Sequence, residues 1–265
     1  MRKYDNATTV ENEGEILAGF QYRSLLSYQA YYHIKDIKYG SKNRSTLDFF
    51  PLEHVSKTVI FIHGGYWQWC DKSDFAFIAP YILAKGAQCV LLEYDLAPQS
   101  HISQIVAQTQ QALDFIAKQN WKIGEVVVVG HSAGAHLGAL CLNHPLLSKA
   151  TLLSGIYDLL PIQETHLNHA LNLSQEDILK YSPIHQQEQI NIPCTILCGG
   201  LELSELKWQS QNYFEYRLSQ GEDMISFEII PEINHYSILE HYFKFILDLL
   251  RKSLLQVHPI YQCSD

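Results

Sequence analysis

An α/β fold with a mostly parallel central sheet of about eight strands and helices on both faces is what this sequence predicts. Three observations carry that expectation. Short apolar runs, above all Val126–Val129 and Thr58–Ile62, are continuous rather than alternating, as in strands buried on both faces. Segments of helical spacing separate these runs along most of the chain. No repeat, low-complexity tract or Pro/Gly/Ser-rich linker interrupts the alternation, so residues 1–265 read as a single domain.

The elements follow in order. Residues 1–33 are polar and aromatic and read as an N-terminal helical segment packed on the body. Ile34–Tyr39 and Thr46–Phe50 read as a hairpin around Gly40–Asn43. Thr58–Ile62 is a buried strand, and Asp74–Lys85 a helix stopped by Gly86. Cys89–Leu92 is a second buried strand. His101–Gln119 is an amphipathic helix, with Ile102, Ile105, Val106, Leu113 and Ile116 on one side. Val126–Val129 is the central strand and Ser132–Leu142 a helix of small residues. Thr151–Leu153, Thr195–Leu197 and Ser226–Ile230 are further strands. Leu206–Ser219 and Tyr236–Leu250 are helices, and the stretch from Leu160 to Pro183 reads as a short cap.

Composition excludes several classes of function. Hydrophobic residues make up 47% and charged residues 18%, a core-forming balance. The net charge of −9 argues against a nucleic-acid partner and against electrostatic docking on an anionic membrane. No apolar run approaches the ~18 residues of a membrane-crossing helix, and the N-terminus lacks a secretory apolar region, so a cytoplasmic location is expected. The six cysteines, Cys70, Cys89, Cys141, Cys194, Cys198 and Cys263, read as free thiols in a reducing compartment. The histidines, His144, His166 and His169 among them, lack a metal-ligand pattern, and no dinucleotide-binding glycine motif follows a strand. The expectation is therefore no metal, no cofactor, a small-molecule partner, and a monomer or homodimer.

The strongest chemical signal is Gly130-His131-Ser132-Ala133-Gly134, directly after the valine run and opening a helix. This is G-x-S-x-G in its strand–turn–helix setting, where a strained turn exposes the serine hydroxyl. The second signal is His63-Gly64-Gly65-Tyr66-Trp67, after Thr58–Ile62. Glycines there let the backbone turn its N–H groups inward, so Gly65, Tyr66 and Ala133 are expected to form an oxyanion hole. His63 reads as a brace for that loop. Trp67 reads either as packing or as a substrate contact, and Tyr157 as a second aromatic of the substrate pocket.

A serine nucleophile needs a base, and the base an orienting acid. In this strand–turn–helix arrangement the chain order is serine, acid, histidine. His235 follows the last strand in a loop and is the expected base; His241 falls within the closing helix. Glu202 lies on the turn after Thr195–Leu197 and is the leading acid, with Asp158 and Glu205 as the alternatives.

These motifs together resemble the kynurenine formamidase (arylformamidase) branch of the α/β-hydrolase superfamily. The resemblance also runs through Leu92–Pro98, Ser154–Leu159, Tyr181–Pro183, Gly199–Ser210 and Asn234–Tyr236, from about Ile37 to the end of the last helix. It implies a triad of Ser132, Glu202 and His235, and oxyanion donors at Gly65 and Tyr66. It implies hydrolysis of N-formyl-L-kynurenine to L-kynurenine and formate, in tryptophan catabolism. A carboxylesterase of small acyl esters with the same triad is the alternative.

Overall fold

The computed structural model describes residues 4–53, 55, 57–121 and 124–244. Eight strands form one sheet in the order β1-β2-β4-β3-β5-β6-β7-β8. They are β1 (Ile34–Lys38), β2 (Thr46–Phe50), β3 (Lys57–Ile62), β4 (Ala87–Leu92), β5 (Glu125–His131), β6 (Lys149–Leu153), β7 (Cys194–Gly199) and β8 (Ile225–Ile230). β1 pairs antiparallel with β2, and β2 antiparallel with β4. Every other neighbouring pair is parallel. The expected mostly parallel eight-stranded sheet is therefore present.

The continuous apolar runs are explained by two cores, one on each face. Alternate residues of the central strands point to opposite sides. Ile60, Ile62, Val90, Leu92, Val126 and Val128 enter one core. Val59, Phe61, Cys89, Leu91, Val127 and Val129 enter the other.

Helices close both sides. On the first lie α3 (Ile102–Ala117), α4 (Ala133–Ala139) and α8 (Ser204–Ser219). On the second lie α1 (Glu13–Ala30), α2 (Ala79–Leu83) and the helical residues 237–244. Asn12 caps α1 by accepting from Glu15 N–H, and Ser24 ties α1 to the body through Asp74 O and Phe77 N–H. Between β6 and β7 the chain makes three short helices, α5 (Leu160–Gln163), α6 (Asn168–Leu171) and α7 (Gln175–Tyr181). No helix among the described residues is long and apolar enough to cross a membrane.

One element departs from expectation. Asp74–Lys85 is not a single helix but a 3-10 stretch, Lys72–Ile78, followed by α2. Pro80 sits in the first turn of α2, where its missing N–H costs nothing, whereas within a continuous helix it would break the ladder. The closing helix starts at 237, and its expected residues 245–250 lie outside the described residues, as does Cys263.

Candidate active site

β5 delivers Ser132 to the end of the sheet. The residue has φ 56° and ψ −119°, a region that a side chain with Cβ rarely adopts. The turn is held by Ser132 N–H donating to Leu153 O at 2.8 Å. Its tightness depends on Gly134: a Cβ there would stand 2.0 Å from Ile62 O and 2.4 Å from His63 O. The helix behind the serine thus packs directly on the end of β3.

The loop after β3 turns through three successive positive-φ residues, Gly65 (103°), Tyr66 (48°) and Trp67 (58°). At Gly65 a Cβ would meet Trp69 O at 2.2 Å, so only glycine fits the approach. The loop rests on Glu93, which is buried and accepts from His63 Nε2 (3.0 Å), Arg44 Nη2 (2.7 Å), Lys72 N–H (2.9 Å) and Tyr94 N–H (2.8 Å). His63 is also stacked on Tyr94, with ring centroids 4.3 Å apart. His63 therefore braces the loop and does not line the cavity. Among the described residues, none accepts a hydrogen bond from the backbone N–H of Gly65, Tyr66 or Ala133.

His235 follows β8, and its Nδ1 donates to Glu202 Oε2 at 2.7 Å. Glu202, in the turn after β7, is itself buried. Its Oε1 accepts from Ser154 Oγ (2.5 Å) and Gly199 N–H (2.6 Å). Burial alone would raise this carboxyl; the His235 ring and these donors outweigh it and hold the pKa below the usual carboxylate range. Glu202 thus has both oxygens engaged in the geometry of an orienting anion.

The other acid candidates lie elsewhere. Asp158 Oδ1 accepts from Leu160 N–H at the start of α5, and Glu205 meets Ser204 on the exposed first turn of α8. With Nδ1 of His235 occupied, Nε2 is the nitrogen left to take a proton.

Ser132 and His235 line one cavity of about 340 Å³, together with Gly64, Gly65 and Tyr66. That size suits a small-molecule site. Two expected pocket residues are not there. Trp67 is fully buried, because the positive-φ turn carries it under the loop, where Nε1 donates to His136 Nδ1 at 3.3 Å. Tyr157 is also fully buried, stacked on Tyr213 with ring centroids 4.3 Å apart. The aromatic rings that do line the cavity are Tyr4, Phe20, Tyr66, Trp69, Phe75 and Tyr236.

Two features have no counterpart in the sequence patterns. His131 donates from Nε2 to His235 O at 2.9 Å, tying the serine turn to the histidine loop across 104 positions. Burial and the neighbouring His235 ring lower its pKa to about 3, so this histidine is neutral. The N-terminal segment also forms a wall of the cavity through Tyr4, Asp5, Asn6 and Glu13. Nothing in the local pattern of residues 4–13 marks them as near a serine in position 132.

The chain has clear relatives among known proteins. A kynurenine formamidase from Danio rerio is 32% identical over 223 residues, 78% of this chain and 76% of that protein. The chain belongs to the kynurenine formamidase family. The family member from Salmo salar is 30% identical and is aligned over 82% of each chain. A family model described as BD-FAE matches residues 50–149, from the end of β2 to the start of β6. Among solved structures, a candidate thioesterase from Silicibacter sp. tm1040 superposes with a TM-score of 0.80 at 25% identity, covering 91% of this chain and 93% of that one. The sheet is thus that of the α/β-hydrolase superfamily, and the likeness in sequence is to its formamidase branch.

Proposed function

We propose that the protein is a serine hydrolase that cleaves N-formyl-L-kynurenine to L-kynurenine and formate through a formyl-enzyme intermediate. The observation that carries the chemistry is the His235–Glu202 pair beside Ser132 at one cavity. Membership of the kynurenine formamidase family supports the substrate.

In this mechanism His235 Nε2 takes the Ser132 proton as Oγ attacks the formyl carbon. The oxyanion is received by the N–H groups of Gly65, Tyr66 and Ala133, which have no acceptor among the described residues. Protonated His235 then gives its proton to the aniline nitrogen as the C–N bond breaks, and kynurenine leaves. Glu202 stabilises the imidazolium throughout. Water, deprotonated by His235, attacks the formyl ester; formate leaves and Ser132 regains its proton. The unpaired thiols of Cys70, Cys89, Cys141, Cys194 and Cys198 support a reducing, cytoplasmic setting for this activity.

The test is product analysis. Incubation with N-formyl-L-kynurenine is expected to release kynurenine and formate in equal amounts. The Ser132→Ala variant should be slower by at least ~10³-fold. Equal turnover by the variant would remove Ser132 from the mechanism. Turnover of short acyl esters without formate release would assign the same residues to a carboxylesterase.

A further inference from the structure

We infer that the N-terminal segment is the specificity wall of the cavity, where Asn6, with the carboxylate of Glu13, receives a primary ammonium group of the substrate. This rests on the aryl-formamidase reading above and adds what the non-reacting end of the substrate must carry.

The decisive group is the Asn6 side chain. It is 6% exposed and lines the same cavity as Ser132. Its Nδ2 donates to Tyr66 Oη at 3.1 Å, whereas its Oδ1 is buried with no partner among the described residues. Folded proteins leave few buried carbonyl oxygens without a donor; this one belongs to a residue of the cavity wall, where a ligand can supply the donor. The charge nearby selects the kind of donor. Glu13 lines the cavity as well, and its Oε1 accepts from the Tyr236 hydroxyl. No lysine or arginine is among the described residues that line it. A cavity wall that holds the Glu13 carboxylate and an unpaired amide oxygen favours a substrate ammonium and repels a substrate carboxylate. An α-amino acid attached to the aryl formamide would therefore bind with its ammonium toward this wall and its carboxylate turned away. Asn6 also touches Tyr66, whose backbone N–H belongs to the proposed oxyanion hole. Recognition at this end is thereby linked to positioning at the reacting end.

The experiment uses the full chain and a matched pair of substrates: N-formyl-L-kynurenine, and the same compound with hydrogen in place of the ammonium group. The readout is the ratio of their kcat/KM values. The wild type is expected to prefer the ammonium-bearing member by tenfold or more. Asn6→Ala and Glu13→Gln should each cut the ratio by about tenfold, as loss of a charge-assisted hydrogen bond does. Damage to Tyr66 or to folding acts on both substrates and cancels in the ratio. Asn6→Asp keeps the acceptor, adds charge, and should retain the preference. Three results would overturn the inference while leaving the formamidase reading intact. One is a wild-type ratio near one. Another is a ratio that none of the variants moves. The third is a selective loss of the ammonium-bearing substrate in Asn6→Asp, which would mean that the amide N–H₂ faces a substrate acceptor. Hydrolysis of neither formamide by the wild type would remove both readings together.

Discussion

Glu202→Gln changes one atom at the centre of the site, and the structure dictates which way the new amide turns. Oε1 of Glu202 accepts from two donors, Ser154 Oγ at 2.5 Å and Gly199 N–H at 2.6 Å. An amide oxygen can accept from both; an amide nitrogen would face the Gly199 N–H donor to donor, at 2.6 Å. The glutamine N–H₂ is therefore forced toward His235 Nδ1, where the carboxylate oxygen now stands at 2.7 Å. It would donate to Nδ1, so the ring would carry its proton on Nε2 and could not accept one from Ser132. The imidazolium would also lose its counter-charge. Comparable tautomer errors in serine triads cost about 10⁴ in kcat, or roughly 5 kcal/mol at 1.36 kcal/mol per decade. Because the hydrogen bonds from Ser154 and Gly199 survive and the one to His235 is kept in reverse, folding should be little affected. The assay is steady-state hydrolysis of N-formyl-L-kynurenine at neutral pH, with a thermal melt of the same samples. A folded Glu202→Gln enzyme within tenfold of wild type would refute the reasoning.

Three further outcomes are expected. Gly134→Ala places a Cβ 2.0 Å from the Ile62 carbonyl oxygen and 2.4 Å from that of His63; against backbone that cannot rotate away it should lower stability by about 3 kcal/mol or prevent folding, as read by denaturant titration. Glu93→Gln weakens the support beneath the Gly65 loop, which now binds Arg44, His63 and two backbone N–H groups; it should destabilise by about 2 kcal/mol and reduce kcat, and an unchanged melt and rate would contradict that role. His131 and His136 are buried, with pKa values lowered to about 3 and about 4 from 6.5. The unfolded chain then binds more protons below pH 6.5, so each histidine removes about 1.4 kcal/mol of stability per unit as pH falls from 6.5 toward its folded value. Urea titrations at pH 7 and pH 5 measure this, and a His131→Gln variant should have a shallower slope.

The parts of the site that the sequence made legible are those fixed by short stretches of chain. Ser132 stands in a turn whose glycine spacing is local, and His235 could be found because one loop follows the last strand. Glu202 could be ranked above Asp158 from strand order, but its engagement of Ser154, Gly199 and His235 depends on β6, β7 and β8 lying side by side. Side-chain direction was less accessible. Trp67 adjoins Tyr66 in the chain, yet successive left-handed residues send only Tyr66 to the cavity. Tyr157 lies in a motif near the site, but its ring folds back over Gly155 and against Tyr213. The wall built by residues 4–13 was not legible at all, because its contacts with Tyr66 and Tyr236 span 60 and 223 positions. The sheet order, with β4 inserted between β2 and β3, is likewise a product of long-range pairing.

The most direct test of the central claim is kcat/KM for N-formyl-L-kynurenine measured beside p-nitrophenyl acetate, with Ser132→Ala as the blank. A formamidase working on its own substrate should reach ~10⁴ M⁻¹s⁻¹ or more on the formamide, exceed its own ester value, and lose both activities in the variant. Ester turnover with negligible formamide hydrolysis would contradict the assignment.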